Sequence, residues 1–161
     1  MKIALDTNII CKACDLNDPN LDCMGVLTRI LHDANHGILH DTDRKLLNEY
    51  QNKAGGYGFF QKWYQEMEKK ENGIHYLFVD LGRNCKKISK TLVDMGFTGE
   101  VDRILVALAL ETRNDRYIIT EDSDFGKGDT EKAEQHNDVL QYLTNKRQLT
   151  VHDAGEALSF L

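Results

Sequence analysis

The sequence predicts an α/β protein, a three-layer α/β/α sandwich around a central parallel β-sheet. Three observations carry that expectation. Short apolar runs of strand length recur at KIALD (2–6), GILHD (37–41), IHYLFVDLG (74–82), YIIT (117–120) and LTVH (149–152). The stretches between them carry apolar residues at helical spacing. Acids stand where the strands should end, at Asp6, at Asp41 and in the run Glu121–Asp122–Asp124. Strands alternating with helices form a parallel sheet covered on both faces, and such sheets bind ligands beyond the carboxyl ends of their strands.

In chain order, a helix is expected from Thr7–Asn8, where Asp6 or Asn8 can cap it. LDCMGVLTRILHDANHG places Met24, Leu27, Ile30 and Leu31 on one face and predicts a helix that ends at Gly37. DRKLLNEYQNK predicts an amphipathic helix stopped by Gly55–Gly56, and RNCKKISKTLVDMG one stopped by Gly96. EVDRILVALALETR is apolar almost all round, which predicts a central, buried helix. The tail predicts one helix over 130–145, a strand near 149–152 and a terminal helix from about Asp153.

The segment about 53–73 is the least regular. Glycines stand at 55, 56 and 58, and five aromatics follow closely: Tyr57, Phe59, Phe60, Trp63 and Tyr64. A base-stacking flap is one reading, with Lys53 and Lys62 on a phosphate backbone. Packing of Phe59, Phe60 and Trp63 against the core, or in a dimer contact, is the favoured one.

With 161 residues, 41% of them hydrophobic and 29% charged, the chain reads as a single domain over 1–161 with an ordinary globular composition. No apolar run has the length of a membrane span and no signal-peptide pattern opens the chain, so a cytoplasmic location away from membranes is expected. The net charge is −6, but it is unevenly spread. Ten basic and five acidic residues between Arg44 and Lys90 make that segment +5 against −11 for the remainder. This distribution suits a polyanion held beside an acidic, metal-loaded site. Cys11, Cys14, His32 and His36 imitate a zinc-finger set, but the Cys14–His32 spacing is too long and no ββα pattern surrounds it. Helix packing accounts better for the two cysteines, and a disulfide is not expected in a reducing compartment.

The acids carry the chemistry. Asp6 follows the first strand, Glu49 lies on the helix after the second, Asp102 opens the buried helix, and Asp122 with Asp124 follows YIIT. Each has an ordinary explanation as a cap, a dipole partner or an exposed helix residue. Together, at positions expected to converge, they point to a site for hard divalent cations, Mg²⁺ or Mn²⁺, one or two ions. Such ions serve displacement at phosphate.

The segments LDTNI, LLNEYQ, VDRILVALALE and YIITEDSDF resemble, in order and spacing over nearly the whole chain, the four signature segments of PIN-domain nucleases. The resemblance implies a PIN-like sandwich and a Mg²⁺- or Mn²⁺-dependent endoribonuclease. It carries the acidic quartet onto Asp6, Glu49, Asp102 and Asp122, with Asp124 as fifth acid. Asn8 and Thr120 fall where the family has polar groups that orient acids or touch phosphate. It also implies a nucleic-acid substrate, RNA ahead of DNA, and for toxin members an antitoxin partner; others are defence effectors, and many members dimerise. The segment Thr42–Gly73 is longer than a minimal toxin of the family needs, and Glu100 competes with Asp102 for the third position. Two alternatives within the fold are a non-cutting RNA- or protein-binding module and a DNA-directed nuclease. Phosphoryl-transfer classes with an aspartate after the first strand fit poorly: Asp6-Thr7-Asn8 is not D-x-D-x-T, and LTVHDAG lacks a receiver lysine.

Overall fold

The computed structural model describes all 161 residues. Strand β1 (Lys2–Leu5) leads into α1 (Thr7–Cys14) and α2 (Leu21–His32), then β2 (Gly37–Asp41). Helices α3 (Lys45–Ala54) and α4 (Gly58–Lys69) precede β3 (Ile74–Leu77). Helices α5 (Lys86–Asp94) and α6 (Glu100–Glu111) then lead to β4 (Tyr117–Ile119). Short helices α7 (Thr130–Gln135) and α8 (Asn137–Gln141), β5 (Thr150–His152) and α9 (Ala154–Leu158) complete the chain.

The five strands form one all-parallel sheet in the order β3-β2-β1-β4-β5. Helices cover both faces: α2 packs against α1, α4 and α9, whereas α6 lies across β1, β2 and β4 with α5 beside it. This is the three-layer sandwich expected from the alternation. From β1 the chain steps outward through β2 to β3, then crosses to the other side of β1 for β4 and β5. The sheet therefore changes winding direction between β1 and β4, and a crevice opens at the carboxyl ends of that pair. Register holds the pair in step, Ile3 opposite Tyr117 and Leu5 opposite Ile119. Asp6 and Thr120 consequently leave the sheet side by side.

Helix α6 is the central packing element, with every residue from Ile104 to Ala109 buried. Helix α3 touches both α1 and α6 and links the two layers beside the crevice. No helix is long and apolar enough to cross a membrane.

Several elements differ from their sequence expectation. The second helix ends at His32, and Gly37 opens β2 instead of capping that helix. A Cβ there would meet the Asn72 carbonyl oxygen at 2.1 Å, so the glycine serves the close approach of β2 to the chain entering β3. Strand β3 stops at Leu77, and the Asn84 side chain folds the next residues into a turn: its Oδ1 accepts from the Asp80 N–H (2.8 Å) and its Nδ2 donates to the Phe78 carbonyl (3.0 Å). The helix expected over 130–145 is broken into α7, α8 and a π-helical turn at Tyr142–Lys146. Helix α7 buries no side chain, so packing does not hold the segment in one rod. Asp41 does not join the crevice. Its carboxylate, 1% exposed, caps α3 by accepting from the Lys45 and Leu46 N–H groups at 2.9 and 3.0 Å.

Most aromatics of the glycine-aromatic segment pack into the core, but Phe59, expected to pack with them, is 41% exposed. Phe60, Trp63, Tyr64 and Met67 are buried along one face of α4, and Trp63 Nε1 donates to the Leu27 carbonyl at 2.8 Å. Cys14 and Cys23 are buried, and all four cysteines are free thiols. Trp63→Ala is expected to destabilise the protein by about 3–5 kcal/mol in urea unfolding. A loss below about 1 kcal/mol would show that α4 is not a packing element.

Candidate active site

The switch point brings four acids from four separate segments to one cleft of about 240 Å³. Asp6, Glu49, Asp102 and Asp122 line it, together with Asn8, Lys53 and Glu100.

Asp6 is the fixed point. The residue is 5% exposed, its N–H donates to the Ile119 carbonyl at 2.9 Å, and its side chain caps α1. Thr120 Oγ1 donates to Asp6 Oδ2 at 2.6 Å, and the Asn8 N–H donates to Oδ1 at 3.3 Å. Thr120 is fully buried and its Oγ1 also accepts the Asp122 N–H at 3.0 Å. It positions two acids. Asn8 Nδ2 donates to Asp122 Oδ2 at 3.1 Å, while Asp122 Oδ1 accepts the Asp124 N–H at 2.9 Å. Asp6, Asn8, Thr120 and Asp122 thus form one hydrogen-bonded frame across the ends of β1 and β4.

Asp102 enters from the first turn of α6. A Cβ on Gly99, the residue before that helix, would lie 2.1 Å from Asp102 Oδ2, so the glycine leaves room for this carboxylate. Asp102 fills the third position; Glu100, at the cleft rim, is half exposed and ion-paired with Lys45. Glu49 reaches the cleft but is held by Lys53, whose Nζ donates to Oε1 at 2.8 Å. That bond holds the Lys53 ammonium above its ordinary value.

Two of the expected residues stand apart. Asp124 is not part of the cleft wall: its side chain is 56% exposed and its Oδ1 lies 3.5 Å from His136 Nε2. Lys62 lies on α4, in a separate hollow with Trp63 and Phe59, and is no part of this site. Sequence reading missed the Glu49–Lys53 pair and the role of Gly99. The i,i+4 spacing was the available signal for the first; the second has no signal beyond a small residue before a helix. Glu121, the first acid after β4, is structural: it bonds Lys12 at 3.1 Å and accepts the Ala154 N–H at 2.9 Å.

The electrostatics are those of crowded carboxylates. Burial pushes the Asp6 carboxyl up to about 6, with the Asp122 and Glu49 charges adding to the rise and the Thr120 bond opposing it. Burial, then the charges of Asp6, Asp122, Glu49 and Asp124, pushes Asp102 up to about 7. The donors facing the cleft are carboxylate oxygens, without sulfur or imidazole, which suits Mg²⁺ or Mn²⁺ and not zinc or copper. No three of the acids are gathered at ligand spacing, so the fit lies in the chemistry of the donor set and not in a preformed cage. No family model, curated protein or solved structure matches the chain.

A carboxyl whose folded pKa is raised favours the fold while protonated, and that contribution is lost as pH rises through the folded value. For Asp6 and Asp102 the window runs from about pH 4 to pH 7. In metal-free buffer, Asp102→Asn is therefore expected to raise the unfolding free energy at pH 8 by on the order of 2 kcal/mol and to lose that advantage by pH 4. Urea titrations at both pH values check this. A variant equally or less stable than the wild type at pH 8 contradicts it.

Proposed function

We propose that this protein is a divalent-metal-dependent nuclease that hydrolyses phosphodiester bonds, with RNA as substrate. The observation that carries the reading is the meeting of Asp6, Glu49, Asp102 and Asp122, from four separate segments, in one cleft at the switch point of a parallel sheet. The resemblance of the four segments to PIN-domain nucleases supports it, and RNA stands ahead of DNA on that resemblance.

Asp6, Asp102 and Asp122 would hold Mg²⁺ or Mn²⁺, with Glu49 available when Lys53 releases it. The ion supplies acidity to an attacking water and positive charge against the phosphate. Asp6 anchors the site because two hydrogen bonds fix its carboxylate and the sheet fixes its backbone. Asn8 and the Asp124 N–H aim the two oxygens of Asp122. Lys53 places an ammonium at the rim of an otherwise acidic cleft, where it can meet a phosphate oxygen or neutralise Glu49. No histidine lines the cleft, so proton transfer falls to carboxylates and water. Asp124, exposed at the edge, belongs to the outer field and not to the central set. The same reading carries a cytoplasmic location, an antitoxin-type or operon-encoded protein partner and a homodimer as expectations.

Asp6→Asn and Asp122→Asn are each expected to lower cleavage of single-stranded RNA in Mn²⁺ by about 100-fold or more, with the fold intact by circular dichroism. Excess EDTA should abolish wild-type cleavage. Undiminished activity in either variant or in EDTA would overturn the reading.

A further inference from the structure

A second pocket lies at the opposite edge of the sheet. It has a volume of about 230 Å³ and is walled by α5, the C-terminal end of α6, the residue before β4 and the π-turn. Asp102 and Glu111 stand nine residues apart on α6, which separates this pocket from the acidic cleft by about 14 Å along the helix axis.

Its wall carries three cations, Lys87, Arg116 and Arg147, against one carboxylate, Glu111. None of the three takes part in any of the eight ion pairs of the molecule. The Nε atoms of Arg116 and Arg147 are both buried without a hydrogen-bond partner. Arg116 Nη1 donates to the Arg147 backbone carbonyl at 3.2 Å, and both arginines line the same pocket. The backbone is strained at the same place: Arg116 (φ 49°) and Gln148 (φ 56°) are two of four non-glycine residues in the left-handed region. Glu111 pairs with none of the cations; its Oε1 accepts from Cys85 Sγ at 3.9 Å. Adjacent, unpaired and partly buried guanidinium groups are costly unless an anion joins them. Their planar forks match phosphate oxygens. Tyr142, Ile88 and Leu110 supply an apolar wall beside the cations.

We propose that this pocket binds a small phosphate-bearing ligand, its phosphate held by Arg147, Arg116 and Lys87. The site is separate from the acidic cleft and stands whether or not that cleft cuts RNA. Lys87 is exposed and Arg147 half-buried, neither belongs to the hydrophobic core, and neither side chain is ion-paired, so a glutamine at either position breaks no ion pair.

Calorimetric titration in metal-free buffer, with inorganic phosphate, AMP and adenosine as separate probes and NaCl matching the ionic strength, tests the proposal. Saturable binding of phosphate or AMP, but not adenosine, is expected. Arg147→Gln and Lys87→Gln should each weaken it by about 10-fold, with circular dichroism unchanged and the melting temperature of neither variant lowered. Binding of AMP much tighter than phosphate identifies a phosphorylated nucleoside; equal binding identifies the phosphate alone. Saturable binding of neither probe, or binding retained in the Arg147→Gln/Lys87→Gln double variant, overturns the proposal.

Discussion

The hydrogen bond from Thr120 to Asp6 is the contact on which the rest of the site depends. It joins the ends of β1 and β4, the two neighbouring strands between which the sheet changes direction. Without that pairing Asp6 would be a charge at the end of a buried strand with only a helix N-terminus for company. With it, the carboxylate is held at a defined place, and Thr120 also fixes Asp122 through the backbone. Asn8 closes the frame from α1. Charged-group hydrogen bonds of this kind exceed neutral ones in strength, which is what sustains an acid 5% exposed.

The frame holds together groups that repel one another. Burial and neighbouring charge push Asp6 and Asp102 to about 6 and about 7, so the fold disfavours their ionised forms. An arrangement that served stability alone would replace one of these acids by an amide. A divalent cation would turn the same crowding into affinity. Gly99 belongs to this logic, since any side chain there would displace the carboxylate of Asp102. The opposite edge of the sheet carries the reverse imbalance, with Arg116 and Arg147 unpaired.

Much of this was legible in the sequence because hydrophobic runs and strand-end acids follow the periodicities of the parallel sandwich. Asp6, Glu49, Asp102 and Asp122 were readable for that reason: each sits at a strand end or on the first or second turn of a helix that starts beside one. Asp41 satisfied the same rule and failed, because its carboxylate turned inward to cap α3, a choice made by side-chain direction and not by position. Lys62 and Asp124 lie off the cleft wall, since neighbours in sequence can face different surfaces. The glycine-aromatic stretch packs as read through Phe60 and Trp63, which share one helical face with Tyr64 and Met67, but Phe59 falls on the exposed side of that helix. The Arg116–Arg147 pocket had no sequence signal because it arises where distant segments meet, and the break within 130–145 follows from the lack of packing on α7.

Mn²⁺ titration by calorimetry at pH 6 and pH 8 tests most directly whether these four acids act as one metal site. Because the acids must shed protons to ligate, saturable binding is expected to be at least about 10-fold tighter at pH 8, with proton release at pH 6, and to be lost in Asp6→Asn. No saturable binding at pH 8, or an affinity indifferent to pH and to Asp6→Asn, would contradict it.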